Sequence, residues 1–332
     1  MAKRGKKKTL SGRQGSTVVG SKTVGNENQN SSPGGNHKKS AALHSEERSS
    51  RRICPETIKG TDDMGRFYSC HDELLSFQKA NQEGLYHANS MWWANGGYNG
   101  SNDEQAMIGD EGGEEDAEEG LAFLDRFLAL DNKKATDDSL PHEHPPSSRQ
   151  NNPRQQRRRF DHAIDLGAGV GRVTKLLLLK RYGEVRLVEA DEGWSKRSKV
   201  YLGRKRASRC SFSHQRLDTL TKADVQGWGE PADLMWVQWT LQYLIDTDVV
   251  DCLKVLAGGL REGSGVLIVK ENRPYGTQRE DRFQMDMPQG VNERYDITRT
   301  DNHHRLLFQQ AGLRVCYTER GEETNVYALT AM

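Results

Sequence analysis

Asp165, Gly167, Gly169, Gly171 and Arg172 stand together in the run IDLGAGVGR, and Glu189 follows 22 residues after Gly167. Glycines at such spacing let the main chain turn sharply and let a ligand approach it with no side chain between. An acid at the separation of Glu189 accepts hydrogen bonds from both hydroxyls of a ribose. The dinucleotide fingerprint has two residues between its second and third glycines, which leaves room for a pyrophosphate at the helix start. Only Val170 separates Gly169 from Gly171. A carboxylate at Asp165 sits badly beside a phosphate and well beside an ammonium group. The constellation fits an adenosine carrying a positive charge better than it fits NAD(P). An ordinary strand-to-helix turn is the competing reading.

These residues need a strand before them and a helix after them. His162 to Leu166 reads as that strand and Arg172 to Arg181 as that helix, with Glu184 to Glu189 as the next strand. Leu234 to Gln238, Gly265 to Lys270 and Leu313 to Thr318 read as later strands, with helices at Asp248 to Leu260 and His303 to Ala311. Strands alternating with helices mean a mainly parallel sheet covered on both faces. Such sheets bind ligands at the carboxyl ends of their strands. Upstream, apolar and aromatic residues from Leu74 to Trp93 recur at helical spacing, as one or two helices. The acidic run from Asp110 to Glu119 leads into an apolar helix from Gly120 to Leu130.

Composition separates this domain from its additions. Of the 332 residues only 34% are hydrophobic, and the mean hydropathy is -0.85. The net charge of +1 conceals segregation, because residues 1 to 52 hold twelve Lys or Arg against three acids. Such a tail cannot bury enough surface to offset its conformational entropy. Its run KRGKKK, from Lys3 to Lys8, is open to three readings: a nucleic-acid contact, a nuclear address or a solvated tail. Residues 132 to 159, rich in Pro, Asn, His and Arg and ending in RQQRRR, read as a solvated loop. No apolar stretch reaches the roughly 18 residues of a membrane span, and no apolar core follows the basic start as in a signal peptide. Five dispersed cysteines suit a reducing compartment and argue against structural zinc, so no metal is expected. Cytoplasmic residence follows, or nuclear residence if the basic run is an address.

DxGxGxG with a later acid resembles motif I of the Rossmann-like class I methyltransferases. That resemblance implies S-adenosylmethionine as cofactor and a mainly parallel seven-stranded sheet with helices on both faces. Further segments, IDLGAGVGRVTK, VQWTLQYLID (237 to 246), IVKEN (268 to 272) and ITRTDNHHRLLFQQAGL (297 to 313), resemble one family. It is the alpha-N-terminal protein methyltransferases, AdoMet-dependent enzymes acting on X-Pro-Lys starts. The resemblance runs from about Tyr86 to Met332, interrupted near 99 to 102 and 131 to 159. It implies cofactor contacts from Gly167, Gly169, Arg172, Glu189 and Gln238, with Glu189 in place of the usual Asp. It implies an aromatic acceptor pocket with Trp93 and Trp239, Ile108 in the MIGD loop, and Asn272 holding the substrate main chain. Core packing is the competing reading for both tryptophans, and a turn before Pro274 for Asn272. The organisation expected is a disordered basic tail over 1 to 65, helices capping the substrate site over 66 to 130, a disordered insertion over 131 to 159 and the methyltransferase domain over 160 to 332. Protein N-termini, with ribosomal proteins among them, are the implied partners, and the chain is expected to act as a monomer.

The catalytic positions depart from the family. Tyr243 stands where many members have His, and Arg294 matches the family's catalytic Asp. Asp296 or Glu293 is the expected replacement acid, with Tyr243 as its partner; surface charge is the competing reading for both acids. The loop between the last two strands, Arg320 to Asn325, is shorter than the family's. Two alternatives therefore stay open: a methyltransferase acting on RNA or a small molecule, and a catalytically inactive binding protein of the same fold. The (N/D)PP(Y/F) element of most nucleobase amine methylases is absent.

Overall fold

The structure is a computed structural model that describes residues 52–98, 102–109, 113–137, 161–276, 281–290 and 292–332. The basic tail up to residue 51 and most of the 131–159 insertion lie outside the described residues, as do 110–112. The elements are β1 (Gly60–Asp62), β2 (Phe67–Tyr68), α1 (His71–Ala94), α2 (Asp103–Ile108), α3 (Gly113–Asp137), β3 (His162–Leu166), α4 (Arg172–Leu176), β4 (Glu184–Glu189), α5 (Glu192–Ala207), β5 (Cys210–His214), α6 (Lys222–Gly227), β6 (Leu234–Gln238), α7 (Asp246–Ala257), β7 (Val266–Asn272), β8 (Phe283–Asp286), β9 (Asp296–Thr298), α8 (Asp301–Gln310), β10 (Leu313–Arg320) and β11 (Thr324–Ala331).

The main sheet has seven strands in the order β10-β11-β7-β6-β3-β4-β5. The five central and distal strands pair in parallel, while β11 runs antiparallel to β7 and β10 antiparallel to β11. Alternation along each strand feeds two cores. Ile164, Met235, Val237, Leu267 and Val269 meet Val249, Leu253, Leu307 and Phe308 of α7 and α8. Ala163, Leu187, Trp236 and Ile268 meet Phe123 and Leu124 of α3, Val173 of α4 and Leu202 of α5 on the other face. This is the doubly covered class I sheet read from the sequence. The chain passes from β3 outward to β4 and β5, then returns beside β3 as β6. The switch of direction between β3 and β6 opens a crevice at their carboxyl ends, where doubly wound sheets bind ligands.

A second sheet, order β2-β1-β8-β9, has no counterpart in the sequence reading. Its β1 pairs in parallel with β8, Gly60 facing Phe283. Ile58, Tyr68, Leu74, Phe283, Tyr295 and Ile297 form a core between this sheet, α1 and the main domain. The expected disorder up to residue 65 is thereby corrected: Ile58 is 2% exposed and Asp62 6%, because 52–65 supply apolar and pairing groups to that core. The expected insertion boundary at 131 also moves, since α3 continues to Asp137. Leu74 to Trp93 lies within the single helix α1. No helix among the described residues is long and apolar enough to cross a membrane.

Candidate functional site

The turn after β3 is built from its glycines and Glu189. Gly167, Gly169 and Gly171 take φ of 68°, 52° and 83°, a left-handed region costly to residues with a Cβ. The N–H groups of Gly167 and Ala168 both donate to the Val188 carbonyl, at 2.9 and 3.1 Å. Gly169 N–H donates to Glu189 Oε2 at 2.7 Å, and Asp191 N–H donates to Oε1 at 2.8 Å. One carboxylate thus ties the turn after β3 to the turn after β4, and each oxygen retains acceptor capacity for a ligand. A Cβ at Gly167 would lie 2.3 Å from Thr240 Oγ1, and one at Gly169 2.2 Å from Met107 Sδ. The main chain there has been left bare by necessity. Asp165, 2% exposed, accepts from the N–H and hydroxyl of Thr174 at 3.0 and 2.6 Å, both on Oδ2. Burial pushes its carboxyl up to about 6, against the opposing bonds from Thr174. Burial likewise raises Glu189. Two under-compensated acids and an exposed stretch of main chain face one crevice.

Beyond the turn, Arg172 and Gln238 converge on Asp116 of α3. Arg172 Nη1 meets its Oδ2 at 2.6 Å and Gln238 Nε2 meets the same oxygen at 2.7 Å. Lys270 Nζ meets Oδ1 at 2.5 Å. Trp239, immediately after β6, is the one non-glycine with positive φ among the described residues, at 51°. Such backbone persists only where neighbours over-determine it. Its N–H donates to the Lys270 carbonyl at 3.0 Å, and the Arg172 guanidinium lies 5.2 Å from its ring centroid. Its indole Nε1 is buried without a hydrogen-bond partner. Glu271 Oε1 accepts from the N–H groups of Thr240 and Leu241, both at 2.9 Å, and clamps the following turn from below.

The far end of the crevice is aromatic. Trp93, Ile108, Trp239, Tyr243 and Asn272 all line it, together with every predicted cofactor residue. Trp93 and Tyr243 meet edge to face at 5.6 Å, and Trp92 meets Trp93 at 4.5 Å. Asn272 Nδ2 donates to Gln242 Oε1 at 3.4 Å. Tyr86 fixes this wall to the main domain, donating to Asp248 Oδ2 at 2.6 Å and accepting from Ile245 N–H at 3.1 Å.

The two predicted acids are placed elsewhere. Glu293 is exposed and turned back into its own loop, where it accepts from Gln289 N–H. Asp296, on β9, is 6% exposed and lies behind Arg294, whose Nη2 meets its Oδ2 at 2.9 Å. Burial pushes Asp296 up to about 6, with Arg294 opposing and Asp286 adding to the rise. Neither acid lines the crevice. The reason is Arg294, which pairs with Asp296 and packs beside the touching rings of Trp92 and Tyr98, 4.8 and 5.2 Å from their centroids, so that it stands between the acid and Tyr98 of the crevice wall. Of the expected trio only Tyr243 reaches the crevice. Burial drives its phenol far above the ordinary value, which favours the protonated form at neutral pH.

Sequence reasoning missed Asp116, Tyr98 and Gln242. Asp116 is one acid in a run of seven across Asp110 to Glu119, which reads as a solvated face; its place in the first turn of a helix was the available signal. Also missed was a second buried cluster, in which Asp246 Oδ2 meets His71 Nε2 and His303 Nε2 at 2.8 and 2.6 Å while Oδ1 meets Arg299 Nη2 at 2.7 Å. Three potential metal-ligating atoms lie there within 4.8 Å. Ligand atoms around a tetrahedral zinc stand about 3.3 Å apart, given bonds of about 2.0–2.2 Å. The shorter spacings and the guanidinium on Oδ1 identify hydrogen-bonded ion pairing instead.

Residues 148–329 match the model of a family described as AdoMet dependent proline di-methyltransferase. An "Alpha N-terminal protein methyltransferase 1" of Caenorhabditis elegans is 35% identical over 116 residues, 34% of this chain and 45% of that protein. An "N-terminal Xaa-Pro-Lys N-methyltransferase 1" of Danio rerio is 31% identical over 158 residues, 48% of this chain and 64% of that protein. The chain thus spans about half to two thirds of the length of these relatives. Among solved structures, a SAM-dependent methyltransferase of Leishmania major superposes with a TM-score of 0.58 at 26% identity, over 84% of this chain and 98% of that one.

Proposed function

The chain belongs to the AdoMet-dependent proline di-methyltransferase family, and from that premise we propose that it methylates the alpha-amine of protein N-termini of the X-Pro-Lys type. The observation that carries the reading is the union in one crevice of a bare glycine turn gripped by Glu189 and an aromatic end. S-adenosylmethionine, when bound, supplies an electrophilic methyl group on a sulfonium. Glu189 would hold its ribose, Asp165 its ammonium group, and Arg172 with Gln238 its amino-acid end. The donor set fits: buried Asp165 and half-buried Glu189, both raised by desolvation more than their partners lower them, face a ligand that carries positive charge.

The rest of the reaction is positioning and exclusion of water. Trp93, Trp239 and Tyr243 give an amine-bearing chain end an apolar slot, and aromatic faces stabilise cationic groups there. Asn272 and Gln242 offer amide groups to the following peptide unit. Asp218 also lines the crevice but is held by Arg216 Nη2 at 2.8 Å, and no imidazole lines it among the described residues. The acceptor therefore arrives neutral by its own dissociation, which an alpha-amine of pKa about 8 achieves far more readily than a lysine of about 10.4. That difference alone favours a chain terminus over an internal lysine by about two powers of ten in neutral fraction at neutral pH.

The test is radiolabelled methyl transfer to peptides beginning Ala-Pro-Lys or Ser-Pro-Lys, with N-acetylated controls and with RNA. Label on the free-amine peptides alone is expected. Label on acetylated peptide or on RNA would move the acceptor elsewhere. A second reading, a binding protein without transfer, draws on Arg294 standing before Asp296 and on a Tyr243 that keeps its proton. Cofactor binding with no label on any acceptor would select it.

A further inference from the structure

We propose that Asp116 is a positioning residue for the cofactor: from α3 it holds Arg172 and Gln238 in register, with donors of both left for the ligand's carboxylate. This rests on the cofactor reading above and assigns how that end of the crevice is built. Arg172 is 5% exposed and Lys270 1%. Two cations withdrawn from water share the carboxylate of Asp116, at 2.6 and 2.5 Å. Glu119 also approaches Lys270, at 3.4 Å, but it is 72% exposed and largely screened by solvent. A buried guanidinium is stabilised by hydrogen bonds to charged partners, and an amino-acid carboxylate entering the crevice can accept from the donors that Asp116 leaves on Arg172.

The geometry is directional as well. Asp116 Oδ2 fixes one nitrogen of Arg172 and the amide nitrogen of Gln238, while Gly113 O takes a second bond from Arg172 Nη1 at 3.2 Å. Gln238 Oε1 accepts from Trp236 Nε1 at 3.0 Å, which sets the amide the right way round. Both side chains enter the crevice lining with their far ends already held. Arg172 keeps its remaining donors, and its plane lies over Trp239. Asp116 does not itself line the crevice; it acts through these two neighbours. Its own acid strength agrees: burial would raise the carboxyl, yet Arg172 and Lys270 hold it below the ordinary value.

Asp116→Asn keeps the shape and removes the charge. Lys270 keeps Glu119 at 3.4 Å, so the loss at Arg172 and Gln238 is expected to be one of positioning. Calorimetry on the full chain would compare S-adenosylhomocysteine with 5′-methylthioadenosine, which lacks the amino-acid end. The expected result is at least tenfold weaker binding of the first and a change within twofold for the second. Asp116→Glu, which restores the charge, is expected to recover most of the lost affinity and serves where the Asn variant does not fold. Equal weakening of both ligands would reduce Asp116 to a structural residue, and tighter binding of S-adenosylhomocysteine would make it a competitor of the ligand; either overturns the proposal. Failure of the wild-type chain to bind either nucleoside would instead overturn the cofactor reading.

Discussion

Two regions of this molecule bury carboxylates, and they do so to opposite ends. In the crevice, Asp165 and Glu189 accept hydrogen bonds from neutral donors, Thr174 for the one and main-chain N–H groups for the other, and burial outweighs these and the pull of Arg172 on Asp165, weakening both as acids. At the junction of α1, α7 and α8, Asp246 is fully buried too, yet His303 and Arg299 outweigh its burial and hold it well below the ordinary carboxylate range. Gln78 Nε2 and His71 Nε2 of α1 add hydrogen bonds to the same carboxylate, at 3.5 and 2.8 Å. An acid supplied with every counter-charge fastens one layer to another. An acid at the crevice whose burial outweighs its counter-charges holds part of its electrostatic demand for a ligand. The difference teaches how to tell a site from a scaffold where residue type and burial are alike.

The sharpest way to break the comparison is Gly167→Arg. A side chain there meets Thr240 at once and adopts a disfavoured φ, so S-adenosylhomocysteine binding measured by calorimetry is expected to vanish; retained affinity would put the ligand elsewhere. Next is Asp246→Asn, which strands the buried Arg299. Denaturant unfolding should show a loss of roughly 3–5 kcal/mol, while the folded fraction binds cofactor within twofold of wild type. Loss of binding without loss of stability would merge the two regions. pH separates them further. Asp165, raised to about 6, takes up a proton on the folded side first, so it adds stability as pH falls from about 6 toward its unfolded value of about 3.9. Asp246 does the reverse: its contribution is present above the unfolded value and is lost as pH falls through its depressed folded value. Because the ligand's ammonium needs the ionised form of Asp165, affinity should drop about tenfold between pH 7.5 and 5, and Asp165→Asn should flatten that profile. The smallest effect belongs to Tyr243→Phe. A phenol that keeps its proton is not the base, so kcat with an N-terminal peptide should fall less than about tenfold, below the 10²–10⁴ of a general base, and its pH profile should still follow the acceptor amine.

The cofactor half was legible because its elements are local. His162–Leu166, Glu184–Glu189 and Leu234–Gln238 have the bounds that their apolar runs suggest, and the glycines and Glu189 sit at fixed offsets from them. The small sheet was illegible for the opposite reason: its strands have two to four residues, and β1 finds its partner β8 across most of the chain. Patterning over so short a span cannot be told from a loop. Asp116 and Asp246 were hidden by the same limit, since an acid is read as solvated until the cations that face it come from distant segments. Glu293 and Asp296 show the converse error. Sequence proximity to Arg294 suggested a catalytic acid, whereas the fold puts Arg294 itself between Asp296 and the crevice.

Everything depends on which nucleoside lies across the turn that Glu189 grips. Titration of the full chain with S-adenosylmethionine, with NAD⁺ as counter-probe and Glu189→Ala as control, addresses that directly. One-site binding of the sulfonium nucleoside, absent for NAD⁺ and lost in the variant, is the predicted result. Binding of NAD⁺ instead, or S-adenosylmethionine affinity untouched by removal of Glu189, would contradict it.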